Sequence, residues 1–179
     1  MPSVRTVATA DLDPAGRAAI RRLLDLSFDG EFTDDDWDHT LGGQHFTVTV
    51  GGMLVAHAAV VQRRFLHDDR SWRGGYVEGV AVHPECRRQG LGNAVMAAAE
   101  HVIDRAFDLG ALSTSADGRG LYLRRGWLVW QGPTAVLAPA GLTRTADDDG
   151  GTFVRIVPGG ADLRRTGTLA CDWRDGDVW

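Results

Sequence analysis

An arginine pair running into two closely spaced glycines, Arg87-Arg88-Gln89-Gly90-Leu91-Gly92, is the stretch of this chain best suited to chemistry. It follows the apolar run Val80-Ala81-Val82 and opens a long amphipathic segment, so a strand should hand over to a helix there. Gly90 and Gly92 lack Cβ atoms where the backbone must turn and approach a ligand, and the amides from Gln89 to Asn93 fall where a helix start leaves donors unpaired. Those amides, the helix dipole and the Arg87 and Arg88 charges together favour a phosphate or pyrophosphate. The spacing is neither the dinucleotide fingerprint nor the P-loop, because no Gly-Lys-Ser/Thr follows. Upstream, Glu78 interrupts the same apolar strand. An unpartnered buried carboxylate is costly, so either a functional site justifies it or the side chain faces solvent from the sheet surface.

The elements that must position these groups follow from pattern and punctuation. Asp11 or Asp13 caps a first helix with Pro14 in its first turn, Ile20, Leu23, Leu24, Leu26 and Phe28 as its buried stripe, and Gly30 as its end. A short second helix begins at Thr33, with three aspartates in its first turn and Trp37 and Leu41 docking it. Strands are predicted over 46–50, 54–62 and 75–82, the first two joined by a Gly51-Gly52 hairpin turn. The helix from Gly90 to Leu109 carries Leu91, Val95, Ala98, Val102, Ala106 and Leu109 on the face packed against the sheet. Beyond it come a strand over 112–115, a helix over 117–125 ending at Gly126, and strands over 127–129, 135–137, 152–157 and 168–172. This order implies a mixed α/β sheet.

A chain of 179 residues with 44% hydrophobic content reads as one domain, 1–179, without repeats or a long linker. A net charge of −5 argues against nucleic acid and leaves room for a cationic partner. No long apolar segment stands at the start, and the run from Met53 to Val61 is short and interrupted by His57, so no membrane association and a cytoplasmic location are expected. Cys86 and Cys171 lack metal-ligand spacing and the six histidines form no ligand motif, so no metal is expected.

The loop at Arg87 to Gly92 resembles motif A of the GCN5-related N-acetyltransferases (GNAT superfamily), which holds the pyrophosphate of coenzyme A. The element order is also that of the GNAT fold, α/β (α+β), a central mixed and mostly antiparallel sheet flanked by α-helices. A closer resemblance is carried by Glu31-Phe32-Thr33, His39-Thr40-Leu41-Gly42-Gly43, the segments 56–63 and 75–82, and the tail Cys171-Asp172-Trp173-Arg174 with Gly176-Asp177-Val178-Trp179. These are similar to the aminoglycoside 2'-N-acetyltransferases over nearly the whole chain. Two features stand apart: Glu31 lies where several relatives carry Asp, and Arg164-Arg165 has an effect that the resemblance does not predict.

That resemblance implies acetyl transfer from acetyl-coenzyme A to the 2'-amino group of an aminoglycoside, conferring resistance, by direct transfer in a ternary complex. Glu78 would accept the amine proton, directly or through water. Tyr122 would protonate the coenzyme A sulfur, and the carboxylate of Trp179 would act at the same site. The cofactor-binding set is Val80, Ala81, Val82, Arg87, Arg88, Gln89, Gly90, Leu91, Gly92 and Asn93, with the Val82 N–H on the thioester carbonyl. The substrate-binding set is Glu31, Asp36, Glu78, Gly79, Ser113, Asp148, Asp177 and Trp179. Without the resemblance, Asp34 to Asp36 reads as a helix cap, Asp147 to Asp149 as a solvated turn and Tyr122 as an amphipathic aromatic. Cys86, in the cofactor turn, invites an acetyl-enzyme scheme that the resemblance does not imply. A homodimer is also implied. A kasugamycin-type aminosugar, a protein or small cellular amine, and a non-catalytic coenzyme A-binding sensor remain alternatives.

Overall fold

Asp13, rather than Asp11, starts the first helix: its Oδ1 accepts from the Gly16 amide at 2.7 Å and Pro14 opens α1 (Pro14–Ser27). Ile20, Leu23 and Leu24 are buried as expected, whereas Leu26 and Phe28 are 47% and 41% exposed. The apolar periodicity runs past the covered face, and Phe28 instead leans on the Phe32 ring at 5.3 Å. Helix α2 (Asp34–His39) begins at Thr33 in a complete capping box with Asp36.

The computed structural model describes residues 3–160 and 162–179; Met1 and Pro2, part of the start read above for a leader, and Ala161 lie outside them. The chain forms two compact units, one made of residues up to Val61 with Val77–Val102, the other of Gln62–Tyr76 with Ile103–Trp179. No helix is long and apolar enough to cross a membrane among the described residues.

In the first unit β1 (Arg5–Ala8), which the sequence does not announce, pairs antiparallel with β2 (Gln44–Val50). In turn β2 pairs antiparallel with β3 (Met53–His67) from Gln44↔Val60 to Val50↔Met53, across the expected Gly51-Gly52 turn. Ile20, Leu23 and Leu24 of α1 bury against Ala81 near the end of β4 (Arg70–Val82), with Leu12, Phe32, Trp37 and Leu54 closing the cluster. Helix α3 (Leu91–Ala106) buries Leu91, Val95, Met96 and Ala99, so its stripe is rotated from the predicted one. Ala98 and Val102 are half-buried and Ala106 is exposed. The predicted periodicity is right, but the larger Met96 side chain defines which edge faces the core.

In the second unit β5 (Leu109–Ser113) takes Leu109 out of the predicted helix and runs parallel to β4, Gly74↔Leu109 to Tyr76↔Ala111. Helix α4 (Arg119–Arg124) and strands β6 (Leu128–Val129), β7 (Thr134–Ala138), β8 (Gly141–Arg144), β9 (Thr152–Ile156) and β10 (Leu169–Asp172) follow. β9 pairs antiparallel with β5 and β6; β10 pairs antiparallel with β3 and parallel with β7, whose outer neighbour is β8. Both β3 and β4 are longer than the sequence suggests, meeting at an Asp68-Asp69 turn in which both residues have positive φ. Arg164 forks onto the Asp68 carboxylate at 2.7 and 3.1 Å, and Arg165 donates to the Val129 carbonyl at 3.0 Å, which gives that arginine pair its place. The architecture is α/β: a mixed, mostly antiparallel sheet flanked by helices.

Candidate active site

Glu78 sits half-buried on β4 directly before Gly79, whose φ of +54° interrupts the strand. A left-handed residue inside a strand marks a bulge, which turns its carbonyl out of the ladder. The left-handed φ favours glycine there, and a Cβ would also sit tightly against the Leu24 and Thr40 methyls at 3.2 Å. The Gly79 carbonyl accepts from Nδ1 of the fully buried His57 at 2.7 Å. His57 Nε2 lies 3.0 Å from Nδ1 of the equally buried His45. Neither histidine belongs to the expected site. The available signal is a polar residue at the centre of the apolar run from Met53 to Val61, with His45 on the partner strand.

Burial holds both imidazoles neutral: it presses His57 down to about 3, helped by the neighbouring His45 and opposed by the Gly79 carbonyl, and His45 to about 4, helped by Arg17. Both folded values lie below the unfolded value near 6.5, so the unfolded chain binds the extra protons in acid. Stability is therefore full above pH ~6.5 and falls as pH drops toward 4. Urea unfolding at pH 4.5 should show a loss on the order of 5 kcal/mol relative to pH 7, about half from each histidine. Equal midpoints at the two pH values would contradict the buried neutral pair.

The glycine turn forms as expected. Arg88 and Gly90 take left-handed φ of +62° and +81°, α3 starts at Leu91, and Ala94 donates the first helical bond to the Gly90 carbonyl at 3.0 Å. The amides of Leu91 and Gly92 thus lie in the turn that has no helical carbonyl behind it. Nothing stands within 4 Å of a Cβ placed on Gly90, and Arg87, Arg88, Gln89 and Gly90 are exposed, so the loop is open to a diphosphate. Arg87 also donates to the Ser27 carbonyl at 3.3 Å, leaving Arg88 as the arginine with the left-handed backbone at the mouth of the loop. Val80 and Val82 flank the buried Ala81 on the strand leading in, and Val82 accepts at its carbonyl from the Ser27 hydroxyl at 3.5 Å.

Of the acidic candidates in this unit, Glu31 is exposed beyond α1. Asp36 Oδ2 accepts from the Thr33 amide and hydroxyl, both at 2.8 Å, so part of that carboxylate is committed to the helix cap.

In the second unit Tyr122 is buried on α4, with Trp127 and Phe153 rings each 6.2 Å away. Burial pushes its phenol up to about 12, so it carries its proton at neutral pH. Ser113 ends β5, half-buried, opposite Thr152 of β9. Asp148 and Asp177 are brought together: burial first, and then the Asp177 charge, raise the Asp148 carboxyl above its ordinary range. Asp177 Oδ1 accepts from the Trp179 amide at 3.2 Å, and the buried Trp179 indole donates to Thr145 Oγ1 at 2.9 Å while stacking on Phe65 at 5.9 Å. A cation would relieve the crowding of Asp148, Asp177 and the neighbouring Asp147 and Asp149 charges. Asp149 is already answered by Arg144 and by the Thr134 amide, which hold it down to about 2.

Among the described residues, no group of three or more His, Cys, Asp or Glu side chains is arranged to hold a metal ion.

A glycine turn between a bulged strand and a helix, in a sheet of this order, is the arrangement of an acyltransferase fold. The acetyltransferase (GNAT) family profile matches residues 16–127, and the chain belongs to that family. Over 179 residues it is 55% identical to the aminoglycoside 2'-N-acetyltransferase of Mycolicibacterium fortuitum, covering 99% of this chain and 92% of that one. Escherichia coli ElaA shares the fold at a TM-score of 0.59 and 16% identity, over 87% of this chain and 99% of its own. Eis1 from Mycobacterium abscessus matches at a TM-score of 0.60 and 16% identity, over 72% of this chain but 32% of that longer protein.

Proposed function

We propose that this protein transfers the acetyl group of acetyl-coenzyme A to the 2'-amino group of aminoglycoside antibiotics, conferring resistance. The observation that carries this is 55% identity to an aminoglycoside 2'-N-acetyltransferase across 99% of the chain. The open glycine turn supports the cofactor, since the amides of Leu91 and Gly92 with Arg88 offer donors and charge that suit a pyrophosphate. Acetyl-coenzyme A supplies an acetyl group already activated as a thioester. The acidic pair Asp148 and Asp177 supports a polycationic acceptor; Glu31, Asp36 and Ser113 are further substrate-binding residues by the resemblance alone.

Glu78 takes the proton from the acceptor ammonium, so that a neutral amine attacks. Tyr122 holds its O–H proton at neutral pH and gives it to the departing sulfur. Replacing Tyr122 by Phe keeps the contacts with Trp127 and Phe153 and deletes the donor. The expected result is a fall in kcat of about 30-fold with thermal stability nearly unchanged. An undiminished kcat would remove Tyr122 from the mechanism. By the same resemblance the working form is a cytoplasmic homodimer.

Thiol release from acetyl-coenzyme A tests the assignment directly. Gentamicin and tobramycin, which carry a 2'-amine, should be turned over, while amikacin and kanamycin A, which carry a 2'-hydroxyl, should not. Turnover of neither pair would sink the acceptor assignment.

A further inference from the structure

Behind the Gly79 bulge lies a buried line of four polar contacts whose direction is forced. The Gly79 carbonyl only accepts, so His57 Nδ1, 2.7 Å away, carries a proton. A neutral His57 then presents Nε2 as an acceptor, and His45 Nδ1, 3.0 Å away, must donate to it. His45 Nε2 is in turn an acceptor, filled by the Thr9 hydroxyl at 2.8 Å. Thr9 Oγ1 accepts from the Gly42 amide at 3.0 Å, which anchors the far end on backbone. Gly43 O, a more distant alternative for the Thr9 hydroxyl at 3.3 Å, already accepts the Thr9 amide at 3.0 Å. Every ring nitrogen is used and each tautomer is fixed. The rings are fully buried and Thr9 is 8% exposed.

Such a line is more than packing requires. Apolar side chains would fill the space between β2 and β3, but a bulge carbonyl turned from the ladder and left without a donor would be expensive. The peptide linking Gly79 to Val80 is planar and trans, so its C=O and N–H point in opposite directions. Fixing the Gly79 carbonyl on His57 therefore fixes which way the Val80 amide faces, and it fixes the backbone on which Glu78 is carried one residue earlier.

We propose that His57, held in one tautomer by His45 and Thr9, is a positioning residue that orients the Gly79–Val80 peptide and thereby the Glu78 segment of the acetyl-transfer site. Its consequence for turnover rests on the function proposed above; its structural content does not. A proton wire is ruled out by the terminus, since an amide carbonyl passes no proton onward.

Two readouts test it. Long-range 15N–1H NMR of the histidine rings in the wild-type chain at pH 7 should show both His45 and His57 protonated at Nδ1; an Nε2–H tautomer at either ring overturns the proposal. His57→Leu keeps bulk and loses the donor, whereas His57→Asn places an amide N–H near the former Nδ1. The leucine variant should lose about 30-fold in kcat and move the Val80 amide resonance, and the asparagine variant should recover most of both. A purely structural role would lower the melting temperature of both variants and leave kcat of the folded protein alike, which would also overturn the proposal. Should the His57 variants fail to fold, Thr9→Val removes the anchor from the opposite end. A few-fold loss in kcat with a displaced Val80 resonance supports the line, and no change in either refutes it. Wild-type protein without turnover on any aminoglycoside would defeat the acceptor assignment alone, because the tautomers and the Val80 resonance decide this proposal without turnover.

Discussion

Replacing Glu78 by Gln is expected to lower kcat/KM for a 2'-amino acceptor by about 300-fold at pH 7, within the range that general base catalysis contributes. An alkyl amine with a pKa near 10 is roughly a thousandth neutral at pH 7, and a less basic aminosugar amine still gains from losing its proton at the moment of attack. Gln keeps the size and the β4 geometry next to Gly79 but accepts no proton. The defect should therefore shrink as pH rises toward 9.5, where solvent removes the proton, to about 10-fold. Coenzyme A affinity and melting temperature should stay close to wild type, since the substitution leaves the Gly79 bulge and the glycine turn intact. A Glu78→Gln defect that is constant across this pH range would assign Glu78 to binding instead.

The second large effect concerns stability. Arg63 is 4% exposed on β3 and donates Nε to Asp172 Oδ1 at 2.8 Å, Nη2 to the Asp172 carbonyl at 2.7 Å and Nη1 to the Val178 carbonyl at 2.7 Å. Its guanidinium also lies over the Tyr76 ring at 4.9 Å. One side chain thus ties β10 and the segment carrying Asp177 and Trp179 to the sheet. Burial opposes this charge, and the surrounding Cys171, Tyr76 and Asp172 more than compensate. Arg63→Met preserves length and apolar volume but leaves two carbonyls without this donor, while the half-exposed Asp172 carboxylate keeps the Arg64 amide at 3.2 Å. Leaving two carbonyls without their donor, beside a carboxylate that is 41% exposed, costs about 2–4 kcal/mol in all, which for a chain of this size is a melting-temperature fall of about 8 °C. Arg63→Lys should recover little, because an ammonium cannot reproduce the planar fork. Calorimetry giving a change under about 2 °C for Arg63→Met would mean that the tail is held by the Trp179 stacking alone.

What the sequence makes legible here is what local chemistry decides. Thr33 with Asp36, Pro14 behind an aspartate, Gly51-Gly52 between β-branched runs, and the turn at Arg88 to Gly90 all carry their signals within a few residues, and all form as read. Elements that rest on distant partners are not legible. The outer halves of β3 and β4, through Arg63, Arg64, Arg70 and Arg73, look like charged loop until Asp172 from β10 pairs with Arg63, Asp108 pairs with Arg73 and Arg70 lies over the Trp72 ring. β1 and β8 are four residues each, short edge strands without an apolar pattern of their own. The candidate site divides the same way. The glycine turn and Glu78 are visible from residue type and spacing, whereas the His45–His57 line shows only as a histidine inside an apolar run, because its meaning depends on ring nitrogens of two strands 3.0 Å apart. Asp148 and Asp177 gain meaning only once the fold makes their charges crowd each other.

Tobramycin incubated with acetyl-coenzyme A and the purified protein, followed by two-dimensional NMR of the isolated product, should show one acetyl group on the 2' nitrogen. A product acetylated at another amine, or no acetylated product, would contradict the account.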